Sequence, residues 1–383
     1  MNDKSIFEQK PATVSNVGRQ PLFWADRLRN LATLLVIVIH VSGSVAQGNT
    51  QYDTFFWWSG NFWDSLGRPS VPLFVMLSGF LLLGKDYELG DFLRRRFSRV
   101  VVPALFWMLI YSYYNFRAKG SPATIGEAVR GIVERPVHYH LWFIYLIIGL
   151  YMIYPILRPW IRSAQERDYW YFFACCILGT WVYKILWVFF GISIGVYFEL
   201  FTNNCCYFVL GYYLGNKTAN GTRHTIHGET TNNQQRTANN GINPWKLSEK
   251  QLLWLAAGLI VVGTGITAVG TWWASKTYGG TFHTYFYDYL TPNCAMAAAG
   301  WFLLAKWAWN RPPLLDFEKA LAATSFGIYF IHVLVMDWWS HAGYWQTKIY
   351  PAVGIPIVAC LIALISFTAI AFLRALPGGQ KVT

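Results

Sequence analysis

Ten stretches of mostly apolar residues, each long enough to approach a bilayer crossing, recur along the chain at 30–47, 68–84, 100–116, 141–157, 171–190, 198–215, 252–273, 290–309, 322–339 and 352–373. Backbone in hydrocarbon has no water to bond, so its amides and carbonyls must satisfy one another within the segment. The expected fold class is therefore all-α, a polytopic transmembrane bundle of about ten helices. The second and fourth stretches are among those short for a core of about 30 Å, which predicts ends reaching into flanking aromatics or a thinned site.

Composition agrees with that reading. Of 383 residues 54% are hydrophobic, 18% aromatic and only 13% charged, against roughly 25% charged in an average soluble domain. Many of the 20 tryptophans and 23 tyrosines fall near the ends of apolar runs, where interfacial anchors belong. A net charge of +12 invites a nucleic-acid reading. The distribution argues against it, because the basic residues sort into loops on alternate sides of a membrane.

Placing both termini in the cytoplasm leaves the outer side only Arg68, Arg117, Lys119, Arg130, Arg135, Lys276 and Lys348, and gives the inner side nearly all other Lys and Arg. That asymmetry supports an even number of spans. The expected organisation is a cytoplasmic segment over 1–26, a transmembrane domain over 27–373 and a cytoplasmic tail over 374–383. Residues 216–250, rich in Asn, Thr, Gly and Gln, read as a disordered cytoplasmic linker. No cleavable signal peptide is apparent before the first run. Six cysteines occur as two adjacent pairs and two singles without C-x-x-C spacing, and read as small packing residues. His224 and His227 in the linker lack further ligands, so no metal site is expected.

Arg29 and His40 stand in the first run, RLRNLATLLVIVIH. Eleven helical steps advance roughly 1,100°, three turns plus about 20°, and climb about 16.5 Å, so both side chains share one helix face. An ionisable group near mid-bilayer is costly unless it faces protein or water, which makes His40 a functional candidate; the alternative is one hydrogen bond to a neighbouring helix. His332, about ten residues into the ninth run, falls about 15 Å deep and near the same level.

A second basic cluster, Arg94, Arg95, Arg96 and Arg99, leads into the third run. Arg96 and Arg99 are three apart, so on a helical turn they project to neighbouring positions and can clasp one polyanion, although the positive-inside bias alone explains a basic loop here. At the outer face, His138, His140, Trp142, Glu199 and Asn203 are placed to bond sugar hydroxyls or stack on a sugar ring; interfacial anchoring is the competing account. Pro69, Pro72 and Gly79 predict a kinked second span beside a cavity.

Together these strings resemble the acyltransferase-3 family of bacterial integral-membrane acyltransferases. RLRNLATLLVIVIH fits its arginine–histidine signature at Arg29 and His40, and RRFSR fits its paired-arginine element at Arg96 and Arg99. VPLFVMLSGFLLL, HLWFIYLIIGLYMIYPIL, FVLGYYLG and SFGIYFIH look like its second, fourth, sixth and ninth helices. The resemblance implies a bacterial inner-membrane enzyme that takes an acyl group, commonly acetyl, from cytoplasmic acetyl-CoA, a co-substrate and not a tightly bound cofactor. The acceptor it implies is a hydroxyl of a surface polysaccharide or its lipid-linked precursor, such as O antigen, enterobacterial common antigen or exopolysaccharide. Expected partners are thus acyl-CoA, the glycan and membrane lipids, with no nucleic acid. Some relatives carry a further periplasmic esterase-like domain, which is not expected here.

The roles follow the chemistry of a thioester. Arg29, Arg96 and Arg99 are expected to hold the coenzyme's phosphates, with Arg29 also acting beside His40 in catalysis. His40 is expected to serve as base or as transient acyl carrier, and His332, His140, Trp142 and Glu199 to contact substrate. A transporter or flippase of a lipid-linked sugar or small anion is the rival reading, with the same Arg and His as clamp and proton relay.

Overall fold

A computed structural model describes residues 22–120, 124–193, 203–217, 247–278, 281–312, 315–343 and 349–383. Every regular element among them is helical: α1 (Phe23–Ala46), α2 (Phe55–Gly67), α3 (Ser70–Leu83), α4 (Leu89–Arg96), α5 (Val102–Lys119), α6 (Ile125–Glu134), α7 (Trp142–Ser163), α8 (Glu166–Cys176), α9 (Tyr183–Phe190), α10 (Cys205–Lys217), α11 (Glu249–Thr277), α12 (Pro292–Ala308), α13 (Asp316–His341) and α14 (Pro351–Ala375). The chain is a polytopic helical bundle, and a helix stands at each of the ten apolar stretches. Among the described residues seven helical passes are long and apolar enough to cross a membrane: Phe23–Ala46, Phe55–Leu83, Tyr139–Ser163, Glu166–Phe190, Glu249–Thr277, Asp316–His341 and Pro351–Ala375. Helix starts follow local chemistry. Thr54 accepts from the Trp57 amide to open α2, Ser248 and Gln251 form a reciprocal cap on α11, and proline occupies the first turn of α5, α12 and α14.

The second pass departs from expectation. It begins at Phe55 and not near residue 68, because α2 and α3 run on through a break at Arg68 and Pro69. Proline has no amide to donate, and at the start of α3 none is needed. Arg68, assigned by the charge count to an outer loop, therefore lies inside the bundle. The packing reading of the cysteines also needs correction: Cys176 and Cys206 form a disulfide joining α8 to α10, with Cα atoms 6.3 Å apart.

The helix is interrupted at Arg68 and Pro69, and Gly79 serves close packing. Where α3 crosses α10, a Cβ at Gly79 would run into the Phe208 carbonyl, and one at Gly211 into the Met76 carbonyl. Small residues let the two backbones touch, as membrane helices require.

Side-chain ties set the sidedness of the site. Arg27 Nε donates to Glu318 Oε2 at 2.8 Å, and Arg374 Nη1 to the Ala323 carbonyl at 3.1 Å. The starts of α1 and α13 and the end of α14 thus share one face, so both ends of the described chain emerge on the same side. Since α1 and α13 run parallel from that face, the 13 residues from Arg27 to His40 and the 14 from Glu318 to His332 raise both histidines about 20 Å above it.

Candidate active site

At the shared face, the guanidinium of Arg96 lies over the rings of Phe92, 5.6 Å away, and Tyr151, 5.2 Å away. Its Nε is buried with no hydrogen-bond partner among the described residues. Tyr151 also faces the charge of Arg29, which is partly buried and donates to Asp26 Oδ1 at 2.7 Å. Arg29 and Arg96 therefore converge around one tyrosine. Arg99 does not join them. It sits in the wider π-helical turn Phe97–Val101 between α4 and α5, and is exposed where Arg96 is half-buried. In that turn a spacing of three no longer places two side chains side by side.

Above this mouth the imidazoles gather. The ring of His40 stacks on His332 at 5.3 Å and meets Tyr139 edge-on at 5.2 Å. His332 meets His140 at 5.4 Å, and His140 meets His138 at 5.2 Å with their Nδ1 atoms 3.1 Å apart. Two histidines expected at mid-depth and two at the outer surface form a single cluster. They meet because the segment before α7 folds inward: Asn115 holds the Val137 carbonyl at 2.9 Å, and Tyr329 Oη donates to the His140 carbonyl.

The proton positions are partly fixed. His332 Nδ1 lies 2.7 Å from the Tyr329 carbonyl and 3.2 Å from that of Ile328. A carbonyl only accepts, so Nδ1 carries hydrogen and Nε2 of the neutral ring keeps its lone pair. His332 and His140 are 1% and 2% exposed, yet the Nε2 of each makes no hydrogen bond of normal geometry among the described residues. The Phe330 carbonyl near His140 already accepts from Tyr111 Oη at 2.7 Å. Orphaned buried nitrogens of this kind mark a water, ligand or catalytic position.

His40, His140, Trp142, Tyr289 and Tyr329 line a cavity with about 20 Å³ open to the centre of a water molecule, slightly more than the ~10–15 Å³ that one water needs. Trp142 stacks on Tyr289 at 5.6 Å. Burial pushes the Tyr289 hydroxyl up to about 12, against the opposing pull of Arg68, so it remains a neutral donor.

Arg68 is the functional neighbour that sequence reading missed. Its Nε donates to Asp64 Oδ1 at 2.6 Å and its Nη1 to the Tyr287 carbonyl at 3.2 Å, with the guanidinium 4.1 Å over the Tyr287 ring. His40 faces its charge. The four-residue spacing of Asp64 and Arg68 was the available signal, since on a helix it allows the two charges to neutralise each other. Tyr111 and Tyr329 gave none, being two among many aromatics. Glu199, expected to contact substrate, lies outside the described residues. No group of three or more potential metal ligands occurs among the described residues.

Fold and site together define a polytopic helical bundle with a cluster of buried imidazoles inside it and two arginines converging at one face. A family model, the acyltransferase domain of the acyltransferase-3 family, matches residues 22–374. The chain belongs to that family, and is a multi-pass membrane acyltransferase. No curated protein and no solved structure matches it.

Proposed function

We propose that the protein transfers an acetyl group from acetyl-CoA to a hydroxyl of a cell-surface glycan or its lipid-linked precursor, in a bacterial inner membrane. The observation that carries this reading is the stack of levels: guanidinium groups of Arg29 and Arg96 at one face, and His40 with its partner imidazoles about 16.5 Å above Arg29 along α1. Phosphates bind below, the pantetheine arm carries the thioester upward, and the acceptor reaches the cavity from the other side. The acceptor oxygen attacks the thioester carbon, His40 takes the hydroxyl proton, and the carbon–sulfur bond breaks to release the coenzyme thiolate. His332 and His140 orient the groups that react with His40. The stacked rings of Trp142 and Tyr289 supply an aromatic platform suited to a sugar.

The test is release of free CoA from acetyl-CoA by protein in proteoliposomes supplied with a glycolipid extract. His40→Ala should lower it by roughly 100-fold or more, the range for losing a general base. Release that survives the substitution unchanged would remove His40 from the chemistry. Uptake of labelled glycolipid without thioester cleavage would favour a transporter.

A further inference from the structure

The proton taken from the acceptor needs a destination. From the observed cluster we propose that His332, His140 and His138 conduct it away from His40 to the face opposite the arginines, so that each acyl transfer moves one proton across the membrane. The inference rests on the acyltransferase reading and adds a vectorial step to it.

The path is continuous and graded in burial. His40 leans on His332 at 5.3 Å, His332 on His140 at 5.4 Å, and His140 on His138 at 5.2 Å. Buried His332 and His140 give way to half-buried His138, whose ring lies 4.8 Å from Tyr111 and 6.5 Å from Tyr114. Tyr114 Oη donates to Asp337 Oδ2 at 3.1 Å, and Asp337 is itself half-buried. On α13 Asp337 lies five residues beyond His332, further from the Glu318 end that marks the arginine face. The chain of groups thus leads from the reacting centre toward the other surface.

The hydrogen bonds suit transfer. The His138 and His140 Nδ1 atoms are 3.1 Å apart, so one holds the hydrogen and the other accepts it. His332 Nε2 and His140 Nε2 are buried and make no hydrogen bond of normal geometry among the described residues, and the cavity lined by His40 and His140 has room for a water. Besides these imidazoles, His40 faces Arg68 from the break between α2 and α3 and Tyr139 from the inward segment, while Tyr329 from α13 contacts both His140 and His332. The Arg68 end of the Asp64–Arg68 ion pair faces His40, so the positive pole of that pair is the one turned toward the start of the path.

The balance is closed. The acceptor O–H bond and the thioester C–S bond break, and the ester C–O bond forms. The acceptor's proton leaves through His138, and the thiolate, the conjugate base of a thiol at least as weakly acidic as that of cysteine (about 8.5), takes a proton from the arginine side. Without the relay the same proton returns to the thiolate and neither side changes pH.

Protein in sealed proteoliposomes with a glycolipid extract in the bilayer, a pH dye in the lumen and acetyl-CoA added outside tests the idea. The impermeant donor selects molecules whose arginine face points outward. The expected result is one proton delivered to the lumen per CoA released, with equal alkalinisation outside. CoA release with no lumenal acidification overturns the relay and leaves acyl transfer standing; no CoA release at all defeats the underlying reading instead. His138→Gly should slow turnover about tenfold, with the KM for acetyl-CoA unchanged, and added imidazole should restore the rate and the lumenal proton. A His138→Gly protein that folds and still delivers its proton at the wild-type rate also overturns the proposal.

Discussion

Asp64 is wholly enclosed and Arg68, one helical turn on, keeps only 11% of its side chain exposed. Either charge alone in that position is expensive, whereas the pair, with the Tyr287 carbonyl as a third contact, is nearly self-sufficient. Asp64→Asn and Arg68→Met should therefore each destabilise the protein by about 3–5 kcal/mol, the range for breaking a buried ion pair. The double substitution should recover a large part of that loss. Thermal unfolding in detergent, read as a double-mutant cycle, measures the coupling, and additive losses would refute it. The same mutual neutralisation explains why this pair escaped the sequence reading while His40 did not. A histidine without a charged partner stands out in an apolar run. Arg68 was counted instead with the charges of the outer side, and Asp64 fell before the second apolar stretch.

Helices α3 and α10 touch through Gly79 and Gly211, with no space for a side chain at either. Gly79→Val should cost about 1–3 kcal/mol by overpacking against backbone that cannot step aside. At exposed Gly149 on α7, an added methyl group would meet no atom within 4 Å, so Gly149→Ala should leave stability equal or up to about 1 kcal/mol higher. Melting temperatures of the two variants in one detergent check the contrast, and equal losses would show that the close crossing is unimportant. The ten apolar stretches were legible because a membrane helix declares itself by length and composition. The joins were not. The π turn that separates Arg99 from Arg96 has no signature in the spacing of its residues, and the inward turn that brings His140 to His332 is held by contacts distant in sequence, Asn115 to Val137 and Tyr329 to His140. Placing His138 and His140 at the outer face followed from their position before the fourth stretch. That position says nothing of a segment folding back into the bundle.

Across the whole molecule, the proposed function assigns recognition of the donor and reaction with it to levels about 16.5 Å apart. On that proposal the phosphates meet Arg29 and Arg96 at one face, and the thioester meets His40 within the bundle. Such a division separates two kinetic effects that a single compact site would mix. Arg96→Ala should raise the KM for acetyl-CoA at least tenfold with little change in kcat, because a phosphate contact made equally in ground and transition states affects binding alone. Acetyl-pantetheine, which carries the reactive end without the nucleotide phosphates, should be used equally poorly by wild type and Arg96→Ala. His40→Ala should lower kcat for both donors alike, since both present the same thioester to the same imidazole. Arg99→Ala, at an exposed position away from the Arg29–Arg96 pair, should change the acetyl-CoA KM far less than Arg96→Ala does. Initial rates of CoA or pantetheine release across a donor titration provide all of these comparisons. If Arg96→Ala slowed acetyl-pantetheine as much as acetyl-CoA, the arginine would be acting on the reacting end, and the two levels would have to be redrawn as one.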